Sequence, residues 1–329
     1  MKRREFIKLG AAAASACAVS SHALRAQPGY PERPIRLVIP FPPGGVYDAL
    51  GRPFAERLKP LLGTIIIENV GGAGGSLGAA AVARSRPDGY TILLGGSGAL
   101  VVAPVAASSK PYDPVRDLDP IYHLASVGTC FAATPSLPVQ SLSDLVAYAK
   151  ANPGRLSYAT SGAGSWNHLT GELFKLQAGL PDVVHVPYRG AGPALTDVVS
   201  GQVPLALVNV TGSVLQFHRS GKLRVIAVTT NKRVVSAPEI PTVVEAGFPG
   251  IVSLVFAGLF ASKGTPQPII DRLAQAARDA VAQSELQKLF IESGFETNLE
   301  SNPDDMRKLL ADEITRWTPI IKSAGMKLD

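Results

Sequence analysis

The stretch Pro40-Phe41-Pro42-Pro43-Gly44-Gly45-Val46-Tyr47-Asp48 constrains this chain through what stands on either side of it. Before it runs Ile35-Arg36-Leu37-Val38-Ile39, an apolar, β-branched run that reads as a buried strand. After it, Leu50, Phe54, Leu58 and Leu61 share one face of a helix that Asp48 is placed to cap. Pro53 falls inside that helix and removes a hydrogen bond, so the helix is expected to kink or to start late. Gly44 and Gly45 let the backbone approach a ligand and turn its N–H groups inward, and a helix N-terminus just beyond them favours negative charge. The loop can receive an anion, although a tight turn that merely closes an α/β unit fits the same residues.

The strand-loop-helix pattern repeats. Thr64 to Asn69 reads as a strand, Ser76 to Ala83 as a short helix, and Tyr90 to Leu94 as a third strand that ends in Gly95-Gly96-Ser97-Gly98. Such alternation implies a parallel sheet with ligands beyond the carboxyl ends of its strands. A second series begins at Ile121. Ser141 and Asp144 form a capping box, and Asn152-Pro153-Gly154 stops that helix. Next come a strand at Leu156 to Thr160, the loop Ser161-Gly162-Ala163-Gly164, a helix from Ser165, a strand at Val183 to Pro187, the turn Tyr188 to Gly192, and strands at Leu205 to Val208 and Leu223 to Val228. Leu254 to Phe260 is strand-like. Two amphipathic helices close the chain, one with Ile269, Ile270, Leu273, Ala277 and Val281 inward and one with Met306, Leu310, Trp317 and Ile321 inward. Helices of this kind need a sheet to lie on, and the incomplete one is the first. The expected organisation is α/β with two domains: residues 27–120 open domain 1, residues 121–230 form domain 2, and residues 231–329 return to domain 1.

Residues 1–26 read as an export signal. Lys2, Arg3, Arg4 and Lys8 precede an apolar run from Leu9 to Val19, and small residues end near Ala23 or Ala26. Arg3-Arg4 followed by Phe6, Ile7 and Lys8 resembles the twin-arginine type, with lipidation at Cys17 as the minor alternative. Without this segment, which carries Lys2, Arg3, Arg4, Lys8 and Arg25 against Glu5, the formal charge falls from +6 to +2. No basic cluster remains that would point to nucleic acid. Cys130 is then alone, which excludes an internal disulfide and a cysteine-based metal site; it reads as a small core residue, with a nucleophile as the minor alternative.

Several chemical motifs fail. Gly72 and Gly74 would need a third glycine at position 77, which is Leu, to make a dinucleotide fingerprint, and no Gly-Lys-Ser/Thr follows any loop. Gly95-Gly96-Ser97-Gly98-Ala99 misses the nucleophile elbow by its last residue. His123, His168, His185 and His218 have no metal spacing. No metal, cofactor or catalytic residue is therefore assigned. A hydrolase using Ser97 or Ser161 is the alternative reading, and a purely structural envelope protein is a third.

Taken together, Pro40 to Gly45 with Asp48 and Arg52, Glu68-Asn69 before Gly71 to Gly75, Pro87-Asp88-Gly89-Tyr90, Pro111-Tyr112-Asp113-Pro114, Asn152-Pro153-Gly154, His168-Leu169 with Glu172-Leu173-Phe174, His185 to Gly190, and Pro241-Thr242 with Glu245-Ala246-Gly247 are in distinctive order and spacing. From Tyr30 to the closing Gly325-Met326-Lys327-Leu328-Asp329, the chain resembles the Bug-type periplasmic solute-binding receptors of the tripartite tricarboxylate transporter group. The resemblance implies a two-domain periplasmic binding protein of the Venus flytrap type, each domain a mostly parallel sheet flanked by helices. It also implies a periplasmic monomer that delivers an organic acid to membrane transporter or sensor subunits. The implied ligand-binding residues are Phe41, Pro43, Gly44, Gly45, Tyr47, Asp48, Ser97, Gly98, Ser161, Gly162, Gly164, Tyr188 and Asn209. Ala99, Leu100, Ala103 and Val208 stand where many relatives carry polar or acidic residues. With Tyr47 they lead to the expectation of an apolar wall and of a carboxylate with an apolar or aromatic body.

Overall fold

A computed structural model describes residues 29–107 and 110–326. The expected export signal, with Cys17 and both cleavage positions, lies outside the described residues, as do Lys327, Leu328 and Asp329.

From the first strand onward the chain alternates as its apolar periodicity dictates. β1 (Ile35–Ile39), α1 (Val46–Leu62), β2 (Ile65–Asn69), α2 (Ser76–Ala83) and β3 (Thr91–Gly96) form two successive β-α-β units. A π-helical turn over Gly98–Val102 and the short α3 (Ala103–Ala106) lead to β4 (Leu118–Ala133). There follow α4 (Leu142–Ala151), β5 (Ser157–Thr160), α5 (Trp166–Ala178), β6 (Val184–Pro187), α6 (Ala191–Val199), β7 (Leu205–Asn209), α7 (Gly212–Arg219) and β8 (Arg224–Val228). The chain closes with β9 (Leu254–Ser262), α8 (Gln267–Val281), α9 (Ser284–Glu292), β10 (Glu296–Thr297) and α10 (Pro303–Ser323).

All of these strands belong to one sheet with the order β2-β1-β3-β9-β4-β7-β5-β6, and β8 and β10 also pair with β4. Both flanks are parallel, β2-β1-β3 on one side and β7-β5-β6 on the other. The centre is antiparallel because β9 and β4 run against their neighbours. β4 spans 16 residues and serves both halves: Leu118–Gly128 pair with β9, and Thr129–Ala133 pair with β7. Gly128 stands at the change of partner, where a Cβ would lie 2.7 Å from Thr230 Cγ2. Beside it Thr229 is fully buried: its hydroxyl accepts from the Thr129 amide (2.8 Å) and lies 2.6 Å from the Ser253 carbonyl oxygen. The Ser253 amide donates back to the Thr229 carbonyl (2.9 Å). The core of the β7 side joins Phe131, Tyr158, Phe174, Leu205 and Leu207 to Val243 and Ile251.

Local departures from the sequence reading have physical causes. α1 begins at Val46 with Gly45 as its N-cap, so Asp48 lies in the first turn and is not the cap. The helix passes through Pro53 and Pro60 without a break. Leu62 is buried and Leu61 only half-buried, which moves the apolar face by one position at the last turn. Gly95 and Gly96 belong to β3 and not to a loop, because β9 lies so close that a Cβ on Gly96 would be 1.8 Å from the Phe256 carbonyl oxygen. α9 stands between the two expected C-terminal helices and buries only Leu286 and Phe290. The inward residues expected of α8 and α10 are all buried, as is Cys130.

Candidate ligand-binding site

Every expected site residue lies at, or within nine residues after, the carboxyl end of a parallel strand: Phe41 to Asp48 after β1, Ser97 and Gly98 after β3, Ser161 to Gly164 after β5, Tyr188 after β6, and Asn209 closing β7. This is the edge at which open α/β sheets place ligands. The residues form two groups, and among the described residues no hydrogen bond links one to the other.

In the first group Pro42, Pro43, Gly44 and Gly45 are exposed, and Gly44 has φ +84°, which glycine adopts without strain. The loop is held from beneath. The Gly44 amide donates to Asp48 Oδ2 (2.9 Å), Arg52 Nε donates to the same oxygen (2.8 Å), and Asn69 Nδ2 donates to Asp48 Oδ1 (3.1 Å) and to the Phe41 carbonyl (3.0 Å). Burial pushes the Asp48 carboxyl up, but the bonds from Arg52, Gly44 and Asn69 outweigh it and hold the group below the usual carboxylate range. Asp48 is therefore a brace within the loop, and Arg52 offsets its charge at the helix N-terminus. The first-turn amides of α1 have no acceptor within the helix, so they remain available to an anion.

Phe41 stacks on Tyr47 with ring centres 4.8 Å apart. Glycine makes room for that ring, since a Cβ on Gly75 or Gly98 would come within 2.9 or 3.0 Å of Phe41 Cζ. The Tyr47 hydroxyl donates to the Phe256 carbonyl (3.1 Å) in β9. Ser97 is fully buried, and its oxygen accepts from the Phe256 amide (3.0 Å). Ala99, Leu100, Ala103 and Val208 have no exposed surface, so they are core residues here and present no apolar wall.

The second group is built on α5. Ser165 caps the helix, accepting from the His168 amide (3.2 Å). Gly162 (φ +143°) and Gly164 (φ +74°) shape the loop in backbone conformations that side chains rarely adopt. Ser161 Oγ donates to Asn167 Oδ1 (2.9 Å), and Asn167 Nδ2 donates to Asn209 Oδ1 (2.8 Å) and to Thr129 Oγ1 (3.1 Å). Among the described residues neither Ser97 nor Ser161 is bonded to a base. The Tyr188 hydroxyl donates to Asp197 Oδ2 (2.5 Å), which commits it within its own segment, while the Tyr188 amide donates to the Thr160 carbonyl (3.2 Å). Asn167 was not legible as a site residue, because an asparagine two residues past a helix cap has no distinguishing spacing.

The family model described as "Tripartite tricarboxylate transporter family receptor" matches residues 51–326. The chain belongs to this receptor family. It is 37% identical to Protein BugT of Bordetella pertussis over 301 residues, which cover 91% of each chain. It is similar to the solved structure "R. palustris Rpa4515 with adipate" at 34% identity and a TM-score of 0.80, covering 91% of this chain and 99% of the other. It is also similar to MatC of Rhodopseudomonas palustris with bound malate, at 31% identity and a TM-score of 0.77 over 89% of this chain and all of MatC. The receptor thus has the mixed α/β fold of the periplasmic binding proteins, and its relatives are solute binders. In keeping with a core role, burial pushes the Cys130 thiol of this receptor up to about 12, far from the thiolate a nucleophile needs.

Proposed function

We propose that this receptor works in the periplasm, captures a linear dicarboxylate between two lobes and hands it to a membrane transporter or sensor. The observation that carries the reading is the pair of glycine-shaped loops, each leading into a helix N-terminus at the carboxyl edge of a parallel strand set. One carboxylate then sits at Gly44-Gly45 and the α1 amides, the other at Ser161 to Gly164 and the α5 amides. Hydrogen bonds from amides to a charged carboxylate contribute on the order of 1.5 to 3 kcal/mol each, enough to anchor each end without an arginine. The relatives with adipate and malate support a diacid. With Ala99, Leu100, Ala103 and Val208 buried, an aromatic body has no wall to rest on.

We take the two bodies to be hinged where β4 changes partner at Gly128–Thr129 and where Thr229 meets Ser253. The receptor acts as a monomer and leaves its ligand unchanged. The test is mass spectrometry of ligand released from purified protein, followed by a calorimetric panel of adipate, malate, citrate, aspartate and an aromatic monocarboxylate. A diacid should bind most tightly and be recovered intact. Citrate, aspartate or the aromatic acid binding most tightly would overturn the ligand class, and conversion of the ligand would overturn the receptor reading.

A further inference from the structure

Behind the loop Ser161 to Gly164 two imidazoles lie face to face. His168 of α5 and His185 of β6 stack with ring centres 3.8 Å apart and planes 11° from parallel. Each reaches one glycine of the loop. The Gly164 amide donates to His168 Nδ1 (3.2 Å). His185 Nε2 lies 2.7 Å from Thr160 Oγ1, and that hydroxyl accepts from the Gly162 amide (3.2 Å). Since Nδ1 of His168 accepts, its ring proton is on Nε2, which faces Glu172 Oε1 at 3.9 Å. Glu172 also receives Lys175 Nζ (3.0 Å) and the Tyr158 hydroxyl (2.8 Å), and the Tyr158 ring lies 5.1 Å from His185. The charged and titratable groups that α5, β5 and β6 bring to the pair are thus Glu172, Lys175 and Tyr158.

We propose that His168 and His185 are positioning residues of the second binding loop, and that they hold it in its binding shape only while both rings are neutral. A proton added from solvent at His168 Nδ1 turns the acceptor of the Gly164 amide into a donor, so two N–H groups confront each other and the loop must move. Two stacked cations would also repel. Burial already holds both rings below the usual histidine range, His185 to about 4, with Lys175 acting in the same direction and Glu172 against it. The inference rests on reading this loop as part of the ligand site. Its consequence is that capture weakens on acidification.

The experiment compares wild type with His168→Asn, whose side-chain oxygen can accept from Gly164 without titrating, and with His168→Ala, which cannot accept. The Gly164 amide resonance is followed by NMR between pH 7.5 and 4.5, and adipate affinity is measured by calorimetry over the same range. In wild type the resonance should move with the imidazole titration and adipate should weaken by about tenfold, the equivalent of one hydrogen bond. His168→Asn should flatten the resonance and remove the excess loss of affinity, the protonation of adipate being common to both proteins. His168→Ala should bind about tenfold more weakly than wild type at pH 7.5. A wild-type Gly164 resonance indifferent to the imidazole titration, or a pH slope of affinity unchanged in His168→Asn, would overturn the proposal. Absence of adipate binding at every pH would count against the dicarboxylate reading alone, and the amide titration would then decide the histidine proposal.

Discussion

Asp48 carries more of the first loop than its place in the sequence announces. It is 5% exposed, accepts from Gly44, Arg52 and Asn69, and keeps its charge because those donors outweigh its burial. Replacing it with Ala leaves the Gly44 amide and Asn69 Nδ2 without that partner and should cost about 1–3 kcal/mol in urea unfolding, with a parallel loss of diacid affinity in calorimetry. An unchanged urea midpoint would show that the loop stands without its brace. Arg52 is more than half exposed at the side chain, where solvent screens its ion pair, so Arg52→Ala should shift the urea midpoint less than Asp48→Ala does. The sequence made Asp48 visible as a helix-start residue but not its partners, because Asn69 comes from the end of another strand. A residue's neighbours across the sheet are not encoded in local spacing.

At the scale of elements, legibility follows how local the cause is. The Ser141-Asp144 capping box is complete in four residues and forms as read, with both reciprocal bonds present. Ser141→Ala should therefore lower stability by about 1 kcal/mol, measurable as a shift in urea midpoint at unchanged slope. Gly96 illustrates the opposite case. A Gly-Gly-Ser-Gly run reads locally as a turn, yet β9 approaches from residue 256 and draws Gly95 and Gly96 into the ladder. Gly96→Ala should abolish folding or strongly raise the susceptible fraction in proteolysis, since its Cβ would overlap the backbone oxygen of Phe256 and backbone cannot rotate aside. α9 is short and buries two large side chains, too few to set a readable stripe.

The histidine pair gives the molecule a pH response of one sign, to which His123 and His218, also held below the usual histidine range by burial, add, and which Glu296 and Glu313, whose carboxyls burial pushes up, oppose. Both rings of the pair lie below the unfolded value of about 6.5, so on acidification between that value and about 4 the unfolded chain takes up protons that the folded one refuses. The pair's contribution to stability is full above about pH 6.5 and is lost on acidification through this window; Asp48, whose folded value lies below the unfolded 3.8, adds its loss at still lower pH. A melting-temperature difference between wild type and His168→Asn that stays constant from pH 7 to 4.5 would contradict the contribution of the pair. The proposed hinge at Gly128 and Thr229 predicts that the protein compacts when adipate or malate saturates it, which small-angle scattering reads directly. The α/β class was legible because strands and helices alternate with clear apolar periods, which leaves few other solutions. The mixed direction of the central strands was not, since a strand's sense is fixed by its neighbours. One feature of that centre reaches back to the making of the chain. β9 lies between β3 and β4, so two segments close in sequence become joined only through residues 254–262. As the chain emerges from the ribosome, β3 must wait with an open edge until most of the protein has been made, and a polypeptide truncated before residue 254 has no way to join β3 to β4 across β9.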